Sequence, residues 1–240
     1  MNKTIFIIGG QRSGSSFLRD ILNQHSQIKF SEPFNPETKY FIRNVDANFH
    51  DFKDAFFKDI PDNIILAEKS TSYFEYNYAL TKISEISQKN KGKVIYIYRD
   101  PVYRAISNFK FSVLSGVETR TIKDVFCKKI PTPKLDKNIS VNPFDYYSRS
   151  SLTDIVPKLK ELFKENLILV NFENLVLKTN LVVESILKTV NLSMEPINQI
   201  VSKNKSFELE VDLNVIEKIK HDLSEEIKFY EELVKTTPII

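Results

Sequence analysis

A chain of 240 residues with 42% hydrophobic side chains is long enough for one sizeable core and short for two independent enzymatic domains. Its 34 basic and 31 acidic side chains leave a formal charge of +3, which excludes the basic excess of a nucleic-acid coat or a polybasic membrane anchor, so any anion must be held by local arrangement. A single cysteine, Cys127, excludes an intrachain disulfide and a thiolate metal cluster.

Along the chain, TIFII at 4 to 8 is a β-branched and aromatic run closed by two glycines, which predicts a buried parallel strand. GGQRSGSSFL, residues 9 to 18, then has the outline of a phosphate-gripping loop. Against the pattern G-x-x-x-x-G-K-[ST], Gly9, Gly14 and Ser16 fall in place, while Ser15 stands at the lysine position. Phe17, Leu18, Ile21 and Leu22 recur at helical spacing, so Ser15 and Ser16 open the first helix. A strand, a glycine turn and a helix start in that order offer free N–H groups and a positive dipole end to an anion.

IKF at 28 to 30 predicts a second strand leading into SEPFNP, and NIILAEKS a third ending near Ser70. Residues 34 to 62 read as irregular and crowded with Phe41, Phe49, Phe52, Phe56 and Phe57, for which core packing is the default and an acceptor wall or lid the alternative. A helix of about 74 to 88, the strand KVIYIYRDP and a helix from Pro101 to about Leu114 follow. Residues 115 to 147 form a long excursion with three prolines and a solvated lysine run, Lys128, Lys129, Lys134 and Lys137. Beyond it come a helix near 151 to 164, the strand LILVNF, a helix near 175 to 190 and one tail helix of about 212 to 235. Strands alternating with helices predict one α/β domain over 1–240, a P-loop-like fold with a central parallel sheet flanked by helices.

The chain starts a strand almost at once, leaving no room for a signal peptide, and no apolar stretch approaches the roughly 20 residues of a bilayer span. The expectation is a cytoplasmic protein with no transmembrane segment and no nucleic-acid partner. No His, Cys and carboxylate combination has metal-ligand spacing, so no metal is expected.

Arg12, Ser13, Gly14, Ser15 and Ser16 combine backbone donors, hydroxyls and one guanidinium at a helix start, suited to one phosphate with an attached anionic group. Arg99 stands at the carboxyl end of a predicted parallel strand, where ligands of open α/β sheets gather, with Asp100 and Pro101 suited to cap and open the next helix. Ser107 lies two helical turns on, with Arg104 near it.

GQRSGSSFLRDILNQH…SEP followed by KVIYIYRDPVYRAISNF resembles the sulfotransferase family, which uses 3′-phosphoadenosine 5′-phosphosulfate (PAPS). The resemblance implies that the first stretch grips the 5′-phosphosulfate and that Arg99 and Ser107 bind the 3′-phosphate. Arg12 stands where the loop carries lysine in many members and arginine in several. Such a donor has no γ-phosphate for a Walker lysine, which accounts for Ser15. EKSTSYF at 68 to 74 is similar to E-K-[ST]-x-x-Y-F of heparan-type enzymes, so Lys69, supported by Ser70, is expected to stabilise charge on the leaving phosphate of adenosine 3′,5′-bisphosphate. The glycine-rich, lysine-bearing segment that closes over the nucleotide in many members has no recognisable counterpart. Lacking the membrane anchor and disulfide of animal secretory enzymes, the chain resembles a bacterial or viral relative.

Transfer to a hydroxyl or amine, on a saccharide by this resemblance, requires a base near the sulfonate. Glu32 is the expected base, ending a short strand after the loop helix; Asp20 and Glu37 rank below it, since neither sits at a strand end. The competing readings are a P-loop kinase or nucleotide hydrolase, against which Ser15 argues, and a non-catalytic binder of anionic glycans, against which Glu32 and Lys69 argue.

Overall fold

The computed structural model describes residues 2–134, 141–198 and 210–237, so Lys137 of the lysine run lies outside the described residues. In chain order the elements are β1 (Thr4–Gly9), α1 (Ser15–Leu22), β2 (Ile28–Phe30), α2 (Tyr40–Arg43), α3 (Phe49–Phe56), β3 (Ile65–Lys69), α4 (Asn77–Lys89), β4 (Lys93–Tyr98), α5 (Pro101–Leu114), α6 (Ile122–Phe126), α7 (Leu152–Phe163), β5 (Leu167–Asn171), α8 (Phe172–Leu177), α9 (Thr179–Thr189), α10 (Leu213–Asp222) and α11 (Ser224–Thr236). Read above as one domain, the chain groups into two compact units, Met1–Tyr98 with Val156–Val201 and Thr237–Ile240, and Arg99–Ile155 with Ser202–Thr236.

The first unit carries a five-stranded sheet in the order β2-β3-β1-β4-β5, with every neighbouring pair parallel. β1 lies at its centre because all six of its residues are buried and both faces are covered. Side chains alternate across it. Ile5 and Ile7 share a cluster with Ile95, Ile97, Val170, Leu18 and Ile186, while Phe6 meets the rings of Phe41 and Phe52 at 6.1 and 6.0 Å. The phenylalanine-rich stretch therefore fills core: Phe41, Phe52 and Phe57 are all buried.

That stretch is also less irregular than expected. Asn48 accepts the N–H groups of His50 and Asp51 while Asp51 accepts the Asn48 N–H, a reciprocal cap that starts α3. Thr121 and Asp124 start α6 in the same way within the second excursion. The helix expected near 175 to 190 is two, α8 and α9, and the tail helix is also two, α10 and α11, whose shared apolar stripe makes them read as one.

The second unit packs α5, α6 and α10 around Val102, Ile106, Phe109, Phe126, Tyr146, Val215 and Ile219. Arg104, expected near Ser107, serves this packing: it is buried and donates to Ser150 Oγ (2.6 Å), the Tyr146 carbonyl (2.6 Å) and Asn108 (3.3 Å). Among the described residues no helix is long and apolar enough to cross a membrane.

Candidate active site

The strands of the sheet end side by side, and the candidate residues follow those ends. After β1 the chain turns at once: the Gly10 N–H donates to the Ile97 carbonyl of β4 (3.0 Å) and the Ser13 N–H to the Gly10 carbonyl (3.2 Å). Arg12 and Gly14 both take positive φ, 66° and 81°, which curls residues 10 to 14 into a tight loop. Gly14 is the N-cap of α1, and no side chain caps that helix, so its first N–H groups remain directed into the loop. Ser13 and Ser15 are buried, and Ser16 is half-buried.

Gly14 is required twice over. An added Cβ would stand 2.9 and 3.0 Å from the Phe172 ring, at the start of α8, and φ of +81° is strained for any L side chain. Gly14→Ala is expected to cost roughly 1–3 kcal/mol in urea unfolding and to weaken donor binding. A change under about 0.5 kcal/mol would mean that the loop relaxes freely instead.

Lys69 closes β3 opposite Ile7 of β1. Its ammonium is buried, so it needs partners, and it has two: Ser16 Oγ at 3.2 Å and Glu37 Oε1 at 2.5 Å. Glu37 is held in turn by the Thr71 N–H (2.9 Å) and hydroxyl (3.1 Å). Loop helix, strand end and the turn after β2 thus meet at one ammonium.

Glu32 stands elsewhere on that turn. Its side chain is 66% exposed and faces Lys29 at 3.9 Å, whereas that of Glu37 is 17% exposed. Asp20 is engaged by Arg19 at 2.5 Å. Sequence reasoning ranked Glu37 low because it follows no strand directly. The turn of 31 to 39 carries it to the end of β3, and the hydroxyl run Ser70, Thr71, Ser72 behind Lys69 was the available signal that a carboxylate would be received there.

Behind Lys69 lies Glu68, 1% exposed, which accepts from Ser70 Oγ (2.8 Å) and Thr38 Oγ1. Burial pushes its carboxyl up to about 6, against the pull of the hydroxyls of Thr38, Tyr73 and Ser70. In the second unit Arg99 follows β4 directly and Ser107 is buried on α5, whose start Asp100 caps by accepting from Val102 (2.9 Å) and Tyr103 (3.0 Å). Among the described residues no group of three His, Cys, Asp or Glu side chains gathers as a metal site.

Sheet order and loop define the class, a P-loop-like α/β fold with a tight glycine loop and an uncapped helix start after its central strand. More particularly, the chain belongs to the sulfotransferase family, whose sulfotransferase domain matches residues 2–227. It is 27% identical over 143 residues to the human heparan sulfate glucosamine 3-O-sulfotransferases 3B1 and 3A1, covering 60% of this chain and 35% and 34% of those proteins. The similarity therefore spans about a third of the length of these curated relatives. Among solved structures, a sulfotransferase from Alicyclobacillus acidocaldarius shares the fold with a TM-score of 0.70 at 18% identity, over 98% of this chain and 96% of that one. The sulfotransferase domain of the Synechococcus PCC 7002 olefin synthase reaches 0.54 at 14% identity, over 96% and 94%.

Proposed function

We propose that this chain is a PAPS-dependent sulfotransferase that moves a sulfuryl group to a hydroxyl or amine of a saccharide. The observation that carries this reading is the Lys69 ammonium, held between Ser16 of the loop helix and the Glu37 carboxylate. One cation beside one carboxylate, at the mouth of an anion cradle, serves both halves of a sulfuryl transfer. Family membership supports the donor, and the likeness to heparan sulfate 3-O-sulfotransferases supports a sugar acceptor.

The donor's 5′-phosphosulfate fits the loop, with Arg12, Ser13, Gly14, Ser15 and Ser16 supplying donors. Arg99 and Ser107 take the 3′-phosphate in this reading. The acceptor oxygen or nitrogen attacks sulfur in line as the bond from sulfur to the bridging phosphate oxygen breaks, and the electron pair leaves with adenosine 3′,5′-bisphosphate. The acceptor proton passes to a carboxylate. Two carboxylates are available on the same turn, and we assign the base to Glu37 in preference to Glu32, because Glu37 already lies against Lys69. Lys69 and Arg12 then stabilise charge as it accumulates on the leaving phosphate.

Titration calorimetry tests the donor. Adenosine 3′,5′-bisphosphate is expected to bind at least about ten-fold more tightly than ATP, and Arg99→Ala to lose about ten-fold or more of that affinity through one charge-assisted contact. Tighter binding of ATP, or turnover of ATP with magnesium, would sink the reading.

A further inference from the structure

Residues 37 to 39 straddle the end of β3. Glu37 reaches Lys69 and Thr71. Thr38 donates its hydroxyl to Glu68 Oε1. The Lys39 N–H donates to Ser70 Oγ at 3.0 Å, and the Ser70 hydroxyl donates to the same Glu68 oxygen at 2.8 Å. Three successive residues of the turn are thereby tied to four successive residues of the strand end, 68 to 71. Just beyond, the Phe41 N–H donates to the Tyr73 hydroxyl at 3.2 Å.

A carboxylate buried in a strand is costly to desolvate, and an apolar residue would serve the sheet better unless the charge had a task. Glu68 Oε1 takes a hydroxyl from each side of the clasp, that of Thr38 from the turn and that of Ser70 from the strand end. Burial raises the titration of Glu68 to about 6 against the pull of these hydroxyls, and its Oε1 accepts both of them. The other charges beside it are Glu37 and, next in the strand, Lys69.

We infer that Glu68 is a positioning residue: through Thr38 and Ser70 it clasps the 37 to 39 turn onto the end of β3 and so fixes the Glu37 carboxylate against Lys69. The inference rests on the assignment of Glu37 as base. A slack clasp would leave the fold standing and the donor bound while the base wandered, and displacement of about 1 Å is enough to slow such a step markedly.

Hydrogen exchange on the full chain reads the clasp without any acceptor. In Thr38→Val, the Lys39 and Thr71 amides are expected to exchange about ten-fold faster, a larger change than at the Phe6 and Ile7 amides of β1, with the melting temperature lowered by only a few degrees; Thr38→Ser restores protection, and Glu68→Met, which removes the shared acceptor oxygen, loosens the same two amides. In sulfuryl transfer from PAPS to a heparan-type oligosaccharide, Thr38→Val lowers kcat about ten-fold at unchanged donor KM, and serine restores it. Unchanged exchange at Thr71, or faster exchange spread equally over β1, would overturn the clasp. So would full turnover in Thr38→Val when Glu37→Gln is dead. Full turnover in Glu37→Gln would instead remove the assigned base, a separate failure.

Discussion

Glu37→Gln is expected to lower kcat for sulfuryl transfer by about 10²–10⁴ while adenosine 3′,5′-bisphosphate binds within about two-fold of wild type. The glutamine keeps one oxygen, enough for the Thr71 N–H or for Lys69 but not for both as the two carboxylate oxygens are, and it cannot take the acceptor proton. Glu32→Gln is the informative companion. Its carboxylate is 66% exposed beside Lys29, and screening by water leaves such a pair little influence on anything else, so its rate should stay within about three-fold of wild type. Reversal of the two outcomes, with Glu32→Gln inactive and Glu37→Gln at full rate, would return the base to Glu32 and require that turn to rearrange when the acceptor binds.

The contrast between these two glutamates shows where the sequence could be read. The strand TIFII, the loop after it and the start of α1 are local patterns: burial, glycine and helical periodicity follow one another within about twenty residues, and the structure realises them in that order. Asp100 is equally local, a cap that accepts from N–H donors two and three residues on. Glu37 has its partner 32 residues away, across two helices and a strand, and nothing near it in sequence announces Lys69. The rule that functional groups sit at strand ends favoured Glu32, yet a turn can deliver a side chain to the end of a strand it does not follow. Helix breaks were hidden for a related reason. Ile219 of α10 is buried in the cluster against which Ile227 of α11, half-buried, also packs, so the apolar stripe continues although the backbone does not. The caps at Asn48 and Thr121 were legible in principle, since both place Asp three residues after the cap residue in the manner of a capping box.

Lys69→Met is expected to reduce kcat/KM by about 10²–10³, the range found when one donor aimed at developing charge is removed. Methionine retains the length and much of the volume of the buried stem, so the loss isolates the ammonium. Lys69→Arg should not restore the rate: the ammonium bonds Ser16 and Glu37 as a compact point charge inside a closed space, and a planar guanidinium requires a wider fork. The double variant discriminates between two accounts of the pair. If Glu37 and Lys69 act on one transition state, as acceptor of the proton and neutraliser of the leaving group, then Glu37→Gln with Lys69→Met will lose much less than the product of the single losses, because each single change already disables the shared step. Multiplying losses would mean that the two groups act independently, and that the contact between them only fills the space that the donor would take. Melting temperatures settle the remaining ambiguity. Removing Lys69 leaves Glu37 with the Thr71 amide and hydroxyl as donors and some access to water, so a loss of rate without a large loss of stability points to chemistry at this pair.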